Sequence, residues 1–160
     1  MQSYDNKIAS GGSAGFCNDR NTRNGDSWVS SGTTFYYAAY ERIWTNDAPS
    51  YECSNTNDMY TTKIGLITAD EVAYAGGRVG TSNYGYYLYT GNNYWTMSPS
   101  YVDSLGYAYV FRVYSYGSLS NNYVYATCGV RPVINLNANI TITGSGTISN
   151  PYVIENVNHL

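Results

Sequence analysis

The chain of 160 residues carries little charge, and basic residues are especially scarce. Charged residues make up 12% of it, with Lys+Arg 8 against Asp+Glu 11 and a formal net charge of −3. Lys7 and Lys63 are its only lysines. Proteins that bind nucleic acid neutralise phosphates with a basic stripe or patch, which this sequence lacks. We therefore expect no nucleic-acid partner.

The side chains that acid–base catalysis needs are equally sparse. The sole histidine, His159, stands next to the last residue of the chain. The aspartates are scattered, with no spacing typical of a general acid and base pair. The sequence therefore predicts no enzyme.

Long apolar runs are also missing. No run approaches the roughly 18 residues that a membrane helix needs, and no signal peptide precedes Tyr4. A lysine-poor composition rich in Asn, Ser and Tyr is typical of extracellular proteins. We expect an exported cell-surface protein whose targeting or anchoring segment lies upstream in a longer chain, with membrane contact only through that segment.

Cysteines number only 3, and they predict one disulfide. Cys17 and Cys53 both lie in polar, loop-like stretches, so we expect them to be bridged. Cys128, beside Gly129, is then expected to be a buried free thiol. A nucleophilic role for Cys128 would require a neighbouring base, and none is close in the sequence.

The length favours one domain over residues 1–160, with a loop-rich N-terminal part at 1–34. In Thr33–Trp44, aromatic and β-branched residues favour a strand and the alanines and charges favour a helix, so an extended start is expected. Ile64–Ile67 is predicted to be a strand. Thr68 and Glu71 form a capping-box pattern before a helix over Ala69–Ala75 that buries Val72.

The remainder is predicted to be β structure, so the fold class is α+β. Trp95 belongs to the strand "YWTMS", and Tyr107–Tyr114 and Asn122–Thr127 are predicted to flank a turn at Gly117. Pro132 in the next strand indicates an edge strand or a bulge. A terminal hairpin is expected over 139–155.

Tyrosine is abundant, with 20 residues, and many lie in "YAYVFRVYSYGSLSNNYVYATC" among Ser, Asn and Gly. Binding loops of antibodies use the same mixture. Strand alternation with Phe111 and Val113 inward places Tyr107 and Tyr109 inward as well. Beyond the turn, it places Val124 inward. Arg112 and Tyr114 are then predicted to face outward, and Tyr114, Tyr116, Tyr123 and Tyr125 to share one exposed face. The predicted ligand-binding residues are Arg112, Tyr114, Tyr116, Ser118, Ser120, Asn121, Asn122, Tyr123, Tyr125 and Thr127.

Several separated motifs resemble one bacterial family. "FCNDR", "GLITADEVAYAGG", "WTMSP", the tyrosine-rich hairpin, "GVRPV" and "GSGTISNPYVI" resemble the C-type-lectin-like domains of Firmicutes surface and pilin-like proteins. The chain is similar to the formylglycine-generating-enzyme branch of that fold, to which variable proteins of diversity-generating retroelements also belong. The resemblance implies that Gly129, Val130, Arg131 and Pro132 are framework and that Tyr114–Thr127 is the ligand face.

The resemblance carries two further implications. Residues 107–128 contain no Lys, Glu, Gln, Met or Trp, which is compatible with diversification at adenines of Asn codons. The Glu-Pro-Asn, Gln-Pro-Asp and Trp-Asn-Asp signatures of calcium-dependent sugar lectins are missing, so no cofactor is expected. Asn18–Asp26 and the pair Asn57 and Asp58 offer oxygen atoms of the type that calcium prefers, but solvated loops are the expected structure.

We therefore expect a binding module whose Tyr/Asn/Ser face engages a protein or glycan on another cell, a phage or a host surface. A pilin or fibre subunit that merely packs a polymer is the structural alternative. The third hypothesis is an oxidase related to the formylglycine-generating branch, and that chemistry would require a pair of active-site thiols.

Overall fold

The computed structural model describes residues 11–12, 14–29, 31–53, 59–136, 140–147 and 149–154. Within them the fold is mixed α and β, with mostly antiparallel strands and two short helices. This confirms the α+β class. None of the described helices is long and apolar enough to cross a membrane.

The described strands, in chain order, are β1 (Gly11–Gly12), β2 (Ala14–Cys17), β3 (Phe35–Tyr36), β4 (Met59–Thr62), β5 (Ile64–Leu66), β6 (Tyr94–Val102), β7 (Ala108–Val113), β8 (Leu119–Tyr123), β9 (Pro132–Leu136), β10 (Ile142–Thr143) and β11 (Val153–Ile154). Helix α1 is an α-helical turn at Ala38–Tyr40 that continues as a π-helical segment at Glu41–Thr45. Helix α2 is Ala69–Tyr74.

The largest sheet has four strands in the order β3-β6-β7-β8, and it carries the main core on one face. Phe111, Val113 and Leu119 project from β7 and β8 and are fully buried against Ile43 of α1 and Val72 of α2. The two helices cover only part of this inner face. A smaller cluster of Phe35, Tyr37 and Val102 lies with Ala108 at another part of the molecule.

Helix α2 begins where the sequence predicts. The Thr68 hydroxyl accepts a hydrogen bond from the Glu71 N–H at 3.1 Å, and the Thr68 N–H donates to the Glu71 carboxylate at 2.8 Å. This reciprocal capping box satisfies amide groups that a helix start leaves open. The first helical N–H, of Ala69, donates to Ser98 Oγ on β6, which ties the helix to the large sheet.

The 33–44 segment is extended first and helical afterwards, as its mixed composition indicates. Phe35 and Tyr36 pair with Val102 and Tyr101 of β6, and the helical turn follows directly at Ala38. This stretch therefore forms both structures that its composition favours, a short strand and then a helix.

The β7–β8 hairpin corrects two parts of the prediction. Its turn lies at Gly117 as expected, but β8 is Leu119–Tyr123 and not Asn122–Thr127. Val113 pairs with Leu119, so alternation on β8 starts at Leu119, and Val124 lies in a turn and is 54% exposed. Tyr107 likewise lies outside β7 and is exposed rather than inward.

Pro132 corrects a third expectation, because β9 is the central strand of a three-stranded sheet ordered β1-β9-β5. Proline is accommodated there as the first residue of the strand, opposite Leu66, while β1 pairs only with Asn135 and Leu136. The C-terminal hairpin is present as expected, with Ile142 opposite Ile154.

The described residues of the N-terminal part include strand pairing that its loop-like composition did not predict. Strand β2 pairs with β4 through Ala14 to Cys17, and the predicted Cys17–Cys53 disulfide is present. Trp28 packs its ring on Phe35 and Tyr37 with centroids 5.2 and 5.3 Å apart. Cys128 is a free, half-buried thiol.

Candidate ligand-binding surface

One tyrosine from each strand of the large sheet lies on the same rung. Tyr36 of β3 is opposite Tyr101 of β6, Tyr101 is opposite Tyr109 of β7, and Tyr109 is opposite Tyr123 of β8. We call these four residues the tyrosine row. Three strand spacings separate its ends, so the row is about 14 Å long.

Three neighbouring rings of the row, those of Tyr101, Tyr109 and Tyr123, pack face against face. Tyr101 and Tyr109 stack with centroids 4.1 Å apart and planes 14° apart, and Tyr109 and Tyr123 follow at 4.3 Å and 38°. These separations are close to the spacing between strands, so each ring covers the face of its neighbour. The stacked rings therefore expose mainly their edges and their hydroxyl groups, which can form hydrogen bonds.

Aromatic rings extend the row at both ends. At the β8 end, Tyr125 stacks on Tyr123 at 4.9 Å and is 68% exposed, and Tyr107 packs edge-on against both. At the β3 end, Tyr40 contacts Tyr36 and Tyr101, and it stacks on Trp44. We call the row together with Tyr40, Trp44, Tyr107 and Tyr125 the tyrosine surface.

The local sequence explains why this part of the sheet face stays open. Residues of the row lie on the same sheet face as the core. Tyr109 is two residues before Phe111 and Tyr123 is two residues after Asn121, and residues two apart on a strand point to the same side. Helix α1 covers Phe111 through Trp44, with ring centroids 6.4 Å apart. The helix also contacts the row through Tyr40, which packs against Tyr36 and Tyr101, and the residues of the row stay half-exposed.

Two phenols of the row, those of Tyr101 and Tyr109, have raised pKa values. Hydrogen bonding with Tyr123, together with desolvation and a further contact with Tyr101, raises the pKa of Tyr109. Burial raises the pKa of Tyr101. Asp103 holds the β6–β7 turn by accepting hydrogen bonds from the Leu105 and Tyr107 N–H groups at 3.0 and 2.9 Å. Neutral hydroxyls that donate and accept hydrogen bonds therefore dominate the surface.

The structure divides the predicted ligand face instead of assembling it. Tyr123 and Tyr125 belong to the tyrosine surface, and Asn121 lies on the same sheet face, where its amide donates to Ser100 Oγ. Tyr114, Tyr116 and Ser118 lie at the opposite end of the hairpin. Arg112, Ser120 and Asn122 project from the opposite face of the sheet, and Thr127 is exposed in the loop beyond β8.

The four tyrosines expected to share one patch form two separate pairs. Tyr114 stacks with Tyr116 at 5.7 Å, and Tyr123 stacks with Tyr125. Tyr123 pairs with Tyr109, five residues along the strand from Tyr114, which is a separation of about 16 Å. The prediction of a contiguous patch is therefore wrong, although neither pair is buried.

The prediction that Arg112 belongs to the ligand-binding residues is also wrong, because the side chain is 8% exposed and a ligand at the outer surface does not reach it. It does face away from the core, as alternation indicates. Its guanidinium lies 4.1 Å over the ring of Tyr114 and is covered there.

The residues assigned to structure have structural contacts. Arg131 donates to the Leu88 carbonyl at 2.8 Å and lies over the ring of Tyr94, so it ties β9 to the loop before β6. The Gly129 carbonyl accepts from the N–H of Trp95 at 3.0 Å. A Cβ at Gly129 would lie 2.9 Å from the Asn93 carbonyl oxygen, so glycine is needed there.

Sequence reasoning missed six residues of the surface: Tyr36, Tyr40, Trp44, Tyr101, Tyr107 and Tyr109. For Tyr101 and Tyr109 the sequence does contain a signal. Tyr101 and Tyr109 flank the turn "DSLG" at positions that pair in a hairpin. The contribution of α1 and β3 depends on a long-range pairing that no local pattern reveals.

A second concave site, of about 240 Å³, lies beside the Cys17–Cys53 disulfide. Arg42 crosses its wall, donating two hydrogen bonds of 2.9 Å to Asp70 and a further one to Asp19. Burial lowers the pKa of Arg42, but these bonds to Asp70 and Asp19 outweigh it and raise the pKa overall. The sequence patterns did not predict that Asp19 and Asp70 lie close together. Because one guanidinium binds both carboxylates, the group serves as a structural link.

The calcium candidates receive no support from geometry. Asp26 accepts hydrogen bonds from the Tyr36 N–H at 2.8 Å and from Arg23, so its carboxylate is already used by the protein. Asn57 and Asp58 lie outside the described residues. In the part of the chain that the structure describes, no group of three or more His, Cys, Asp or Glu side chains is arranged to hold a metal.

No protein-family model matches this sequence, and comparisons with curated proteins and with solved structures found no match.

Proposed function

We propose that this protein is a surface-displayed binding module that recognises a protein or glycan through the tyrosine surface. The observation that carries the proposal is the rung of four tyrosines, one per strand, continued by exposed aromatic rings at each end. Tyrosine supplies a large contact area at low entropic cost, and its hydroxyl adds hydrogen bonding.

The rigidity of the platform supports this function. Ring stacking across strands holds the row in place before any ligand arrives, so little rotamer freedom remains to be lost on binding. The surface is also open to solvent at its edges. Here Tyr125, Tyr107 and Trp44 are 68%, 47% and 40% exposed.

We assign the domain to the C-type-lectin-like fold on the motif resemblance, and the mixed architecture is consistent with it. Part of the proposed site lies in the segment compatible with diversification, since Tyr107, Tyr109, Tyr123 and Tyr125 fall within residues 107–128. Tyr36, Tyr40, Trp44 and Tyr101 lie outside that segment. A diversified edge beside a constant base would let related chains bind different partners on one scaffold.

The binding test uses two arrays and a set of tyrosine variants. The purified chain is applied to an array of defined oligosaccharides and to an array of purified extracellular proteins, and the Kd of the strongest partner is measured. Tyr125→Ala and Tyr107→Ala should each weaken binding by about 2 kcal/mol or more, a loss of roughly thirtyfold. Their unfolding free energies should change by no more than about 0.5 kcal/mol.

Two exposed tyrosines elsewhere provide matched controls. Tyr87 is 77% exposed on the loop before β6, and Tyr116 is 55% exposed at the far end of the β7–β8 hairpin. Tyr87→Ala and Tyr116→Ala should leave the Kd unchanged. Loss of binding in Tyr116→Ala, with full binding in Tyr125→Ala and Tyr107→Ala, would place the site at the other end of the hairpin and refute the proposal.

A further inference from the structure

Arg112 is a buried cation without a counter-ion. It is 8% exposed, and within the described part of the chain no carboxylate lies within ion-pair distance of it. Its Nε atom is buried and has no hydrogen-bond partner in the part of the chain that the structure describes. Buried charges in proteins are usually paired, and an unsatisfied buried donor calls for a specific explanation.

The other arginines with resolved contacts have oxygen partners. Arg42 binds Asp70 and Asp19, Arg78 binds Asp47, Arg23 binds Asp26, and Arg131 donates to the Leu88 carbonyl. Arg112 instead contacts sulfur and an aromatic ring. Its Nη1 donates to Cys128 Sγ at 3.5 Å, and its guanidinium carbon lies over the Tyr114 ring.

Cys128 lies on a segment that is tied to β6, and the residue is not fully buried. Arg112 is opposite Trp95 on β6, and the N–H of Trp95 donates to the carbonyl of Gly129 at 3.0 Å. The guanidinium therefore reaches across β6 to the segment that carries Cys128. That cysteine is half-buried and is not part of the disulfide, so it is a free thiol in a residue that is partly open to solvent.

We propose that Cys128 is an oxidation site at which hydrogen peroxide converts the thiol to a sulfinate that Arg112 binds. In the first step the sulfur attacks peroxide, and an S–O bond forms as the O–O bond breaks. The departing hydroxide takes the thiol proton and becomes water, so the products are a sulfenic acid and water. A second peroxide adds the second oxygen and releases a second water. In each step the sulfur loses two electrons and peroxide gains them, and the sulfinic acid then releases its proton to solvent.

The geometry of the guanidinium fits this product. A sulfinate presents two oxygens on one atom, as a carboxylate does, and an arginine fork binds such a group through two parallel N–H donors. Nη1 already contacts the sulfur, and Nη2, the other donor at the end of the guanidinium, supplies the second parallel N–H of this fork. This site is separate from the proposed ligand-binding surface, because Arg112 projects from the opposite face of the sheet.

The direct test exposes the full chain to hydrogen peroxide and maps its peptides by mass spectrometry. We expect the peptide containing Cys128 to gain two oxygen atoms and the thermal midpoint of the protein to rise. Cys128→Ser, treated identically, controls for oxidation of Met59 and Met97 and should show no rise. A Cys128 that stays a thiol, or a sulfinate that lowers the midpoint, overturns the proposal.

Two sets of variants isolate the role of the guanidinium. In Arg112→Gln, sulfinate formation at Cys128 should slow by about tenfold, as expected for the loss of one charge-assisted contact, and Arg112→Lys should fall in between. If Arg112→Gln does not fold, Cys128→Asp and Cys128→Asn give the answer. The aspartate variant should melt above the asparagine variant, and the opposite order contradicts the proposed ion pair.

Discussion

At the scale of single residues, Gly117 shows how a local signal and a long-range contact combine. Its φ of +77° lies in the left-handed region, which the turn pattern "SYGS" indicates from sequence alone. The structure adds a close approach, because a Cβ at Gly117 would lie 1.8 Å from the carbonyl oxygen of Asn83. The Asn83 N–H also donates to the Tyr116 carbonyl, so the turn is fastened to a distant loop.

The first prediction separates the two effects at Gly117. Gly117→Ala should lower the free energy of unfolding by about 2 kcal/mol or more, because backbone strain and a clash with Asn83 add together. Gly25 has a similar φ of +88° with open space around it, so Gly25→Ala should cost only about 1 kcal/mol. Urea unfolding of both variants measures the difference, and equal losses would show that Asn83 does not constrain the turn.

Among the elements, those fixed by local patterns were predictable. The capping box at Thr68, the turn at Gly117 and the Phe111/Val113 core face all depend on residues close in sequence, and the structure has each of them. The end of β8 was not predictable in this way. "NNYVY" alternates well enough to continue a strand, but the pairing of Val113 with Leu119 moves the inner positions to Leu119, Asn121 and Tyr123.

The second prediction tests that register. Leu119→Asp and Val113→Asp should each prevent stable folding, because both side chains are fully buried in the main core. Val124→Asp should remain folded, with the unfolding free energy changed by about 0.5 kcal/mol at most, since Val124 is exposed. Circular dichroism and thermal melts distinguish these outcomes. An unfolded Val124→Asp variant would mean that β8 continues beyond Tyr123.

In the whole molecule, the tyrosine surface arises from pairings that are distant in sequence. Tyr36 meets Tyr101 only because β3 joins the edge of a hairpin that starts some sixty residues later. Composition indicated a tyrosine-rich binding protein, yet it could not show which rings stack together or that Arg112 is covered. Such properties depend on strand order, which alternation within one segment does not encode.

A third prediction concerns the disulfide, which links β2 to the segment before β4 across a sequence separation of 36. Replacing Cys17 and Cys53 together by serine should cost about 4 kcal/mol in the chain-entropy treatment of a loop this long. Cys128→Ser is the matched control and should have little effect on unfolding. Mass spectrometry without reductant should find one disulfide and one free thiol, and three free thiols would contradict the pairing.

Buried phenols make the fold sensitive to alkaline pH. Burial raises the pKa of Tyr86, Tyr94 and Tyr37 above the ordinary value of 10.0. A raised pKa means that the folded state holds the proton more tightly than the unfolded state. The stability from these groups is therefore complete below about pH 10 and is lost as the pH rises further, towards the folded-state values.

Tyr86 gives the sharpest form of this fourth prediction, because its hydroxyl is buried and has no hydrogen-bond partner among the described residues. Tyr86→Phe removes an unsatisfied group, so at pH 7 the variant should be at least as stable as the parent. Above pH 10 its stability should fall less steeply, by up to about 1.4 kcal/mol per pH unit for one phenol. Tyr87→Phe, at the exposed neighbouring position, should follow the parent curve. The measurement is the free energy of unfolding across this pH range, with phenolate absorbance as a second signal. Parallel curves for Tyr86→Phe and the parent would contradict the prediction, because the Tyr86 phenol would then ionise in the folded state as readily as in the unfolded chain.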